Sequence, residues 1–237
     1  MNPIVIRNVE IGKGIPKVCV SIVGKTLEDI KEEARDLMDC DIIEWRADFF
    51  DRIENSAEIF EVLIEIRKIL SDKPIIFTFR GYNLELYKYV ISTGIVDIID
   101  IDLQNGENEI VDIVEKARSK NIAVIVSSHN FKSTCTKQEI IEKMEKSQEL
   151  GDISKMAVTP NSIKDVVVLL DVASTIKEYF KKPFIAISMS SLGVISRLAA
   201  EDFGSAIVFA SGKKASASGQ INISDTKKIL TIIHTNK

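Results

Sequence analysis

The sequence predicts an α/β fold, specifically a (β/α)8 TIM barrel with an N-terminal β-hairpin closing the bottom. Three observations predict it. Short β-rich runs alternate with longer amphipathic segments from residue 17 to the C-terminus, and such alternation implies a parallel sheet covered by helices. Eight such units fit into 237 residues, a length that suits a closed barrel better than an open doubly wound sheet. No linker, low-complexity tract or shift in composition divides the chain, so residues 1–237 are expected to form a single barrel domain.

The units run in order. The segment "IVIRNVEIGKGI" (4–15) suggests the hairpin. "KVCVSIVG" (17–24) reads as the first barrel strand, and Thr26 with Asp29 makes a capping box for the helix "LEDIKEEARDLMD". "DIIEWRADF" (41–49) is the second strand, and Ile59, Leu63, Ile66 and Leu70 place the helix of 56–70 at helical spacing. "KPIIFTFR" (73–80) and "IVDIIDIDL" (95–103) are the third and fourth strands, followed by helices over about 83–93 and over "NEIVDIVEKARSK". "IAVIVSSHN" (122–130) is the fifth. Thr136 and Glu139 cap the helix after it. "DISKMAV" (152–158), "PFIAISMS" (183–190) and "SAIVFAS" (205–211) complete the strands; helices are expected over 162–180, over "GVISRLAAEDF" and over "SDTKKILTIIHTNK".

Composition narrows the function. Hydrophobic residues make up 45% and charged residues 28%, an ordinary soluble balance. The net charge of −4 and the lack of a basic stripe argue against nucleic acid. No apolar run reaches membrane-spanning length and no signal pattern opens the chain. Three cysteines without a CxxC pair read as reduced thiols, so a cytoplasmic protein is expected. Two distant histidines do not suggest a metal site.

Chemistry in such a barrel gathers at the C-terminal ends of the strands, and alternation gives the inward face. With Trp45 turned to the helices, Glu44, Arg46 and Asp48 point inward. Arg80 ends the third strand, Asp100 and Asp102 share a face on the fourth, and Ser127 and His129 share one on the fifth. Ser21 lies late in the first strand. Lys155 lies opposite the outward Met156 and Val158, in line with Ala157. The aspartate pair reads as balance for nearby arginines, and His234, three residues from the end, as an outer helix residue. A carboxylate, two arginines, a histidine and a lysine thus converge on one mouth from separate strands.

A lysine attacks a carbonyl only as a free amine. Apolar walls and nearby cations favour that form, and Arg46 and Arg80 are the expected cations, with Glu44 opposing them. His129 is suited to carry a proton at neutral pH. Together the lysine and histidine suggest proton abstraction beside an imine, followed by elimination or carbon–carbon cleavage. The arginines suggest an anionic small-molecule substrate.

These residues also carry a resemblance. "EWRADFF" (44–50), "TFR" (78–80), "SSHNF" (127–131), "KMAV" (155–158), "SMSSLGVISRLAAEDFGSAIVFAS" (188–211) and "SASGQI" (216–221), in that order, resemble the type I 3-dehydroquinate dehydratases over nearly the whole chain. The resemblance implies dehydration of 3-dehydroquinate to 3-dehydroshikimate through a lysine Schiff base, without metal or cofactor. It implies Lys155 as the imine-forming residue, His129 as the acid/base and Glu44 as a carboxylate near that histidine. It places Ser21, Glu44, Arg46, Arg80, Arg197, Ser216 and Gln220 against substrate, with Arg197 on its carboxylate. It makes the loop 212–220 a lid and the assembly a homodimer. Two positions depart from the family pattern. An acidic Gly-Gly-Glu turn after the third strand is replaced by "RGYNLELYKY", where Glu85 is the candidate substitute, and a lid proline is replaced by Ser218. The alternatives are another Schiff-base barrel enzyme, of the aldolase type, and a non-catalytic binding barrel.

Overall fold

The computed structural model describes residues 1–237. A two-stranded antiparallel hairpin, β1 (Ile4–Ile6) and β2 (Val9–Ile11), precedes eight parallel strands: β3 (Lys17–Ile22), β4 (Ile42–Arg46), β5 (Ile75–Thr78), β6 (Ile98–Asp102), β7 (Ala123–Asn130), β8 (Ile153–Val158), β9 (Phe184–Ser188) and β10 (Ile207–Ala210). Strands β3 to β9 pair in chain order, and β10 returns to pair with β3. A parallel bridge from Phe184 to Ser205 links the start of β9 to the approach of β10, so the ring closes as a (β/α)8 barrel.

Helices α1 (Leu27–Arg35), α2 (Ser56–Ile69), α3 (Leu84–Thr93), α4 (Glu107–Ser119), α5 (Lys137–Leu150), α6 (Ile163–Lys177), α7 (Val194–Leu198) and α8 (Ile223–Thr235) fill the connections. The capping boxes predicted at Thr26–Asp29 and Thr136–Glu139 are both formed. No helix is long and apolar enough to cross a membrane. The elements are mostly a few residues shorter than the sequence suggests. The largest difference follows β9, where α7 is a single short helix preceded by a 3-10 turn over Ser191–Gly193. Strand β4 ends at Arg46, because Ala47–Phe49 wind into another 3-10 turn, and Asp48 therefore lies beyond the strand rather than on its inner face.

Two apolar layers hold the barrel. Outside the sheet, Trp45 packs edge-on against Phe77, and Phe77 against Tyr87 of α3. All three are fully buried, and such burial stabilises by roughly 1.5–3 kcal/mol per large side chain. Met156 and Val158 face α5 and α6 in the same way. Inside, Cys19, Ile42, Ile76, Ile98, Ile125, Ile153, Ile185 and Ile207, one from each strand, form an almost uniform floor. The hairpin's Ile11 belongs to that cluster with no exposed surface, and Ile4, Ile6 and Val9 pack beneath it. The hairpin thus seals the N-terminal end and leaves the other end for chemistry.

Candidate active site

Period-two alternation builds the site directly on the isoleucine floor. Two residues beyond six of the eight floor positions stand Ser21, Glu44, Thr78, Asp100, Ser127 and Lys155, all buried, and beyond the other two stand Ile187 and Phe209. The strand register pairs Ser21 with Glu44, Thr78 with Asp100 and Ser127 with Lys155. A polar layer this deep must satisfy itself, and it does. Asp100, with no exposed surface, accepts from Arg80 through both oxygens (2.8 and 3.0 Å), from Ser127 Oγ (2.6 Å) and from Lys155 Nζ (2.8 Å). Burial alone would raise its pKa, but the Arg80 guanidinium and the Lys155 ammonium hold the carboxyl well below the usual range. In return, Asp100 overrides the effect of burial on Arg80 and raises its basicity.

This geometry revises two expectations. The cations expected to repel Lys155 are committed elsewhere: Arg80 to Asp100, and Arg46 to Asp48 through two bonds of 2.9 and 2.8 Å. The nearest charges to the amine are carboxylates, Asp100 and, at 3.9 Å, Glu44. The aspartate pair also does more than balance arginine, since Asp100 holds the lysine. Lys155 completes its surroundings over the face of Phe209, 4.3 Å from the ring centre.

Glu44 accepts from Ser21 Oγ at 2.5 Å and from Thr78 Oγ1 at 2.9 Å. It shares the cavity with His129 but makes no hydrogen bond to it; that ring is held by Asp102, whose Oδ2 lies 2.7 Å from Nδ1. The reason is axial stagger. Arg46, Arg80, Asp102 and His129 stand one layer above Glu44. Burial first, then the charge of Arg80, lowers the His129 pKa to about 4 despite the opposing hydrogen bond to Asp102. The ring is therefore neutral at pH 7, and the contact is an Nδ1–H donating to a carboxylate.

The cavity above these layers has a volume of about 320 Å³ and is lined by Glu44, Arg46, Arg80, His129, Lys155 and Arg197, with Phe131, Ile187, Met189 and Phe209 among its apolar walls. Arg197 is 4% exposed, and its only hydrogen bond is from Nη1 to the Phe209 carbonyl at 3.3 Å. Burial without a carboxylate lowers its pKa to about 10. The loop 212–220 covers the mouth. Ser216 and Gln220 line the cavity, and Gln220 Oε1 accepts from the Ser216 backbone at 2.8 Å. Ser216 shares a 2.9 Å hydroxyl contact with Ser21. Ser21 itself does not line the cavity; it joins the loop to Glu44. Gly219 has φ +82°, and a Cβ there would meet the Ser190 carbonyl at 2.1 Å, so only glycine permits this docking.

Residues 18–237 match the family model for type I 3-dehydroquinase. The chain belongs to the type I 3-dehydroquinase family. Among relatives, it is 42% identical to a 3-dehydroquinate dehydratase of Clostridium novyi over 250 aligned positions, covering 99% of each chain. Among solved structures, it superposes on a type I 3-dehydroquinate dehydratase from Clostridium difficile, solved with covalently modified comenic acid, with a TM-score of 0.96 and 41% identity over the whole of both chains. The 3-dehydroquinate dehydratase of Geobacillus kaustophilus gives 0.94 at 32% identity, with 99% of each chain covered.

Within the type I 3-dehydroquinase frame, the sequence reading of the segment after Arg80 needs correction. Glu85 cannot stand in for the missing acidic turn. Its side chain is 83% exposed on α3 and binds Lys88 at 2.7 Å. Sequence reasoning also passed over Thr78, which anchors Glu44, and assigned no individual partners to Asp100 and Asp102. Their spacing of two and four residues from Ile98 is the signal that would have found the aspartates. His234 binds Glu201 on the outside of the barrel, away from the cavity.

Proposed function

We propose that Lys155, His129 and Glu44 carry out the type I dehydration of 3-dehydroquinate to 3-dehydroshikimate, the third step of the shikimate pathway. The observation that carries the reading is the pairing, within one cavity, of a buried amine at Lys155 with Arg197, the lining arginine without a carboxylate partner. A substrate bearing both a ketone and a carboxylate answers both groups. Its carboxylate occupies Arg197, where a guanidinium can grip it in bidentate fashion.

The chemistry follows from the layers. The Lys155 amine adds to the ketone carbon, and water leaves to give an iminium ion. Neutral His129 takes the C2 proton through Nε2, and the electron pair moves into the iminium to form an enamine. The enamine then expels the C1 hydroxyl, which leaves as water with the proton that His129 returns. Hydrolysis of the conjugated iminium frees Lys155 and releases the product. The imine is the electron sink. Glu44, 3.9 Å from Nζ, and Arg46 and Arg80 orient the ring hydroxyls, while Ser21, Ser216 and Gln220 hold the lid. Residues 1–237 act as one barrel domain. We also propose a cytoplasmic homodimer: its three free cysteines suit a reducing compartment, and its pairing is implied by the family resemblance.

Borohydride added with 3-dehydroquinate should trap a mass increase on Lys155. Without borohydride, the protein should generate the enone absorbance of the product, and Lys155→Ala should do neither. Absence of both signals from the unaltered protein would refute the reading.

A further inference from the structure

We propose that Asp102 is the positioning residue of His129, fixing the tautomer that leaves its lone pair on Nε2, the nitrogen turned toward the cavity. The inference rests on the reading of His129 as acid/base.

Three observations support it. First, Asp102 is bound through both oxygens. Oδ2 takes the imidazole Nδ1–H at 2.7 Å, while Oδ1 accepts the Gln104 backbone N–H at 3.0 Å, which caps the short turn Leu103–Asn105. A carboxylate anchored by its backbone cannot swing away from the ring. Second, no other carboxylate hydrogen-bonds to His129. The connection from β5 to α3 is only residues 79–83, and the first acidic side chain beyond it, Glu85, is at the surface on Lys88. Third, Nε2 has no protein partner yet is not fully enclosed, and the ring lines the substrate cavity with Phe131 stacked on it at 5.7 Å. An ionised carboxylate only accepts hydrogen bonds, so it selects the Nδ1–H form of a neutral ring.

The charges facing the ring make this selection matter. Arg80 follows β5, Asp100 stands on β6 and Lys155 on β8, with Glu44 and Arg46 of β4 in the same cavity. The cations Arg80 and Lys155 favour a neutral imidazole, and a neutral imidazole in the other tautomer would present an N–H to the substrate C–H and could not accept its proton.

Asp102→Asn separates positioning from capping. Asparagine is as good a cap as aspartate, so its oxygen keeps the Gln104 N–H and its NH2 then faces Nδ1. The amide donates where the carboxylate accepted, and the ring is driven to Nε2–H. The test is ¹⁵N NMR of the two histidines at neutral pH, assigned with a His234→Gln variant, alongside steady-state kinetics. In the unaltered protein Nδ1 should be the protonated nitrogen; in Asp102→Asn the proton should move to Nε2. In that variant kcat should fall about 10²-fold or more with KM little changed, because Asp102 does not line the substrate cavity. An Nε2–H signal in the unaltered protein would overturn the inference, as would wild-type kcat in Asp102→Asn. His129→Ala keeps the two ideas apart. If it retains full turnover, the acid/base reading fails whatever the tautomer; if it is inactive while Asp102→Asn is not impaired, only the role of Asp102 fails.

Discussion

Replacing Asp100 with Asn should be the most costly single change in the polar layer. The carboxylate is fully buried and receives four hydrogen bonds, three of them from the cationic groups of Arg80 and Lys155. Asparagine keeps one acceptor oxygen and turns an NH2 toward groups that can only donate. The buried Lys155 and the half-buried Arg80 then lose the counter-ion that hydrogen-bonds to both. Breaking a buried ion pair by removing one partner costs about 3–5 kcal/mol, a large part of a typical folding stability of roughly 5–15 kcal/mol. At this chain length that is a fall in melting temperature of roughly 10 °C. Calorimetry and urea unfolding at pH 7 measure it. A double-mutant cycle sharpens the test, since Lys155→Met removes one of the orphaned cations. The Asp100→Asn/Lys155→Met pair should be less destabilised than the sum of the single variants by about 1 kcal/mol or more. Strict additivity, or a loss below about 1 kcal/mol in Asp100→Asn, would refute the claim that Asp100 is the counter-ion of the layer.

Two further outcomes follow from charges near the cavity. His129 titrates at about 4 in the fold against about 6.5 when unfolded, so the unfolded chain takes up that proton first. Stability from this group is fully present above about pH 6.5 and falls as pH drops toward 4, by about 3 kcal/mol in all; His129→Asn should flatten that part of the stability–pH profile, and an unchanged slope would count against a neutral buried ring. Arg197 is a buried guanidinium with no counter-ion, so Arg197→Met should leave the melting temperature unchanged or raise it. The same variant should lower kcat/KM by about 10²-fold or more through loss of the carboxylate contact, and a destabilised variant with normal KM would show that the arginine serves the fold instead.

The sequence made the fold legible because its signals were local. Capping boxes at Thr26 and Thr136, helical spacing from Ile59 to Leu70, and eight β-rich runs in turn each depend on residues a few positions apart. The inward face of each strand was legible for the same reason: Trp45, Met156 and Val158 mark the outer side, so Glu44, Arg46 and Lys155 must lie within. Motif order along the chain then pointed to the family, and with it the substrate.

Alternation fixes which way a side chain points, but not how high its strand sits against the others. That stagger belongs to the closed barrel, and it decides which charges meet. It put Lys155 level with Asp100 rather than beside free arginines, and paired Arg80 with Asp100. It raised His129 a layer above Glu44, so that Asp102 became its partner. Coulomb attraction and hydrogen bonding act over a few ångströms, whereas these partners are separated by 27 residues (Asp102 and His129) and 55 residues (Asp100 and Lys155) along the chain. Residue types and faces were therefore written locally in the sequence, and the pairing that gives each group its charge state was decided by tertiary structure.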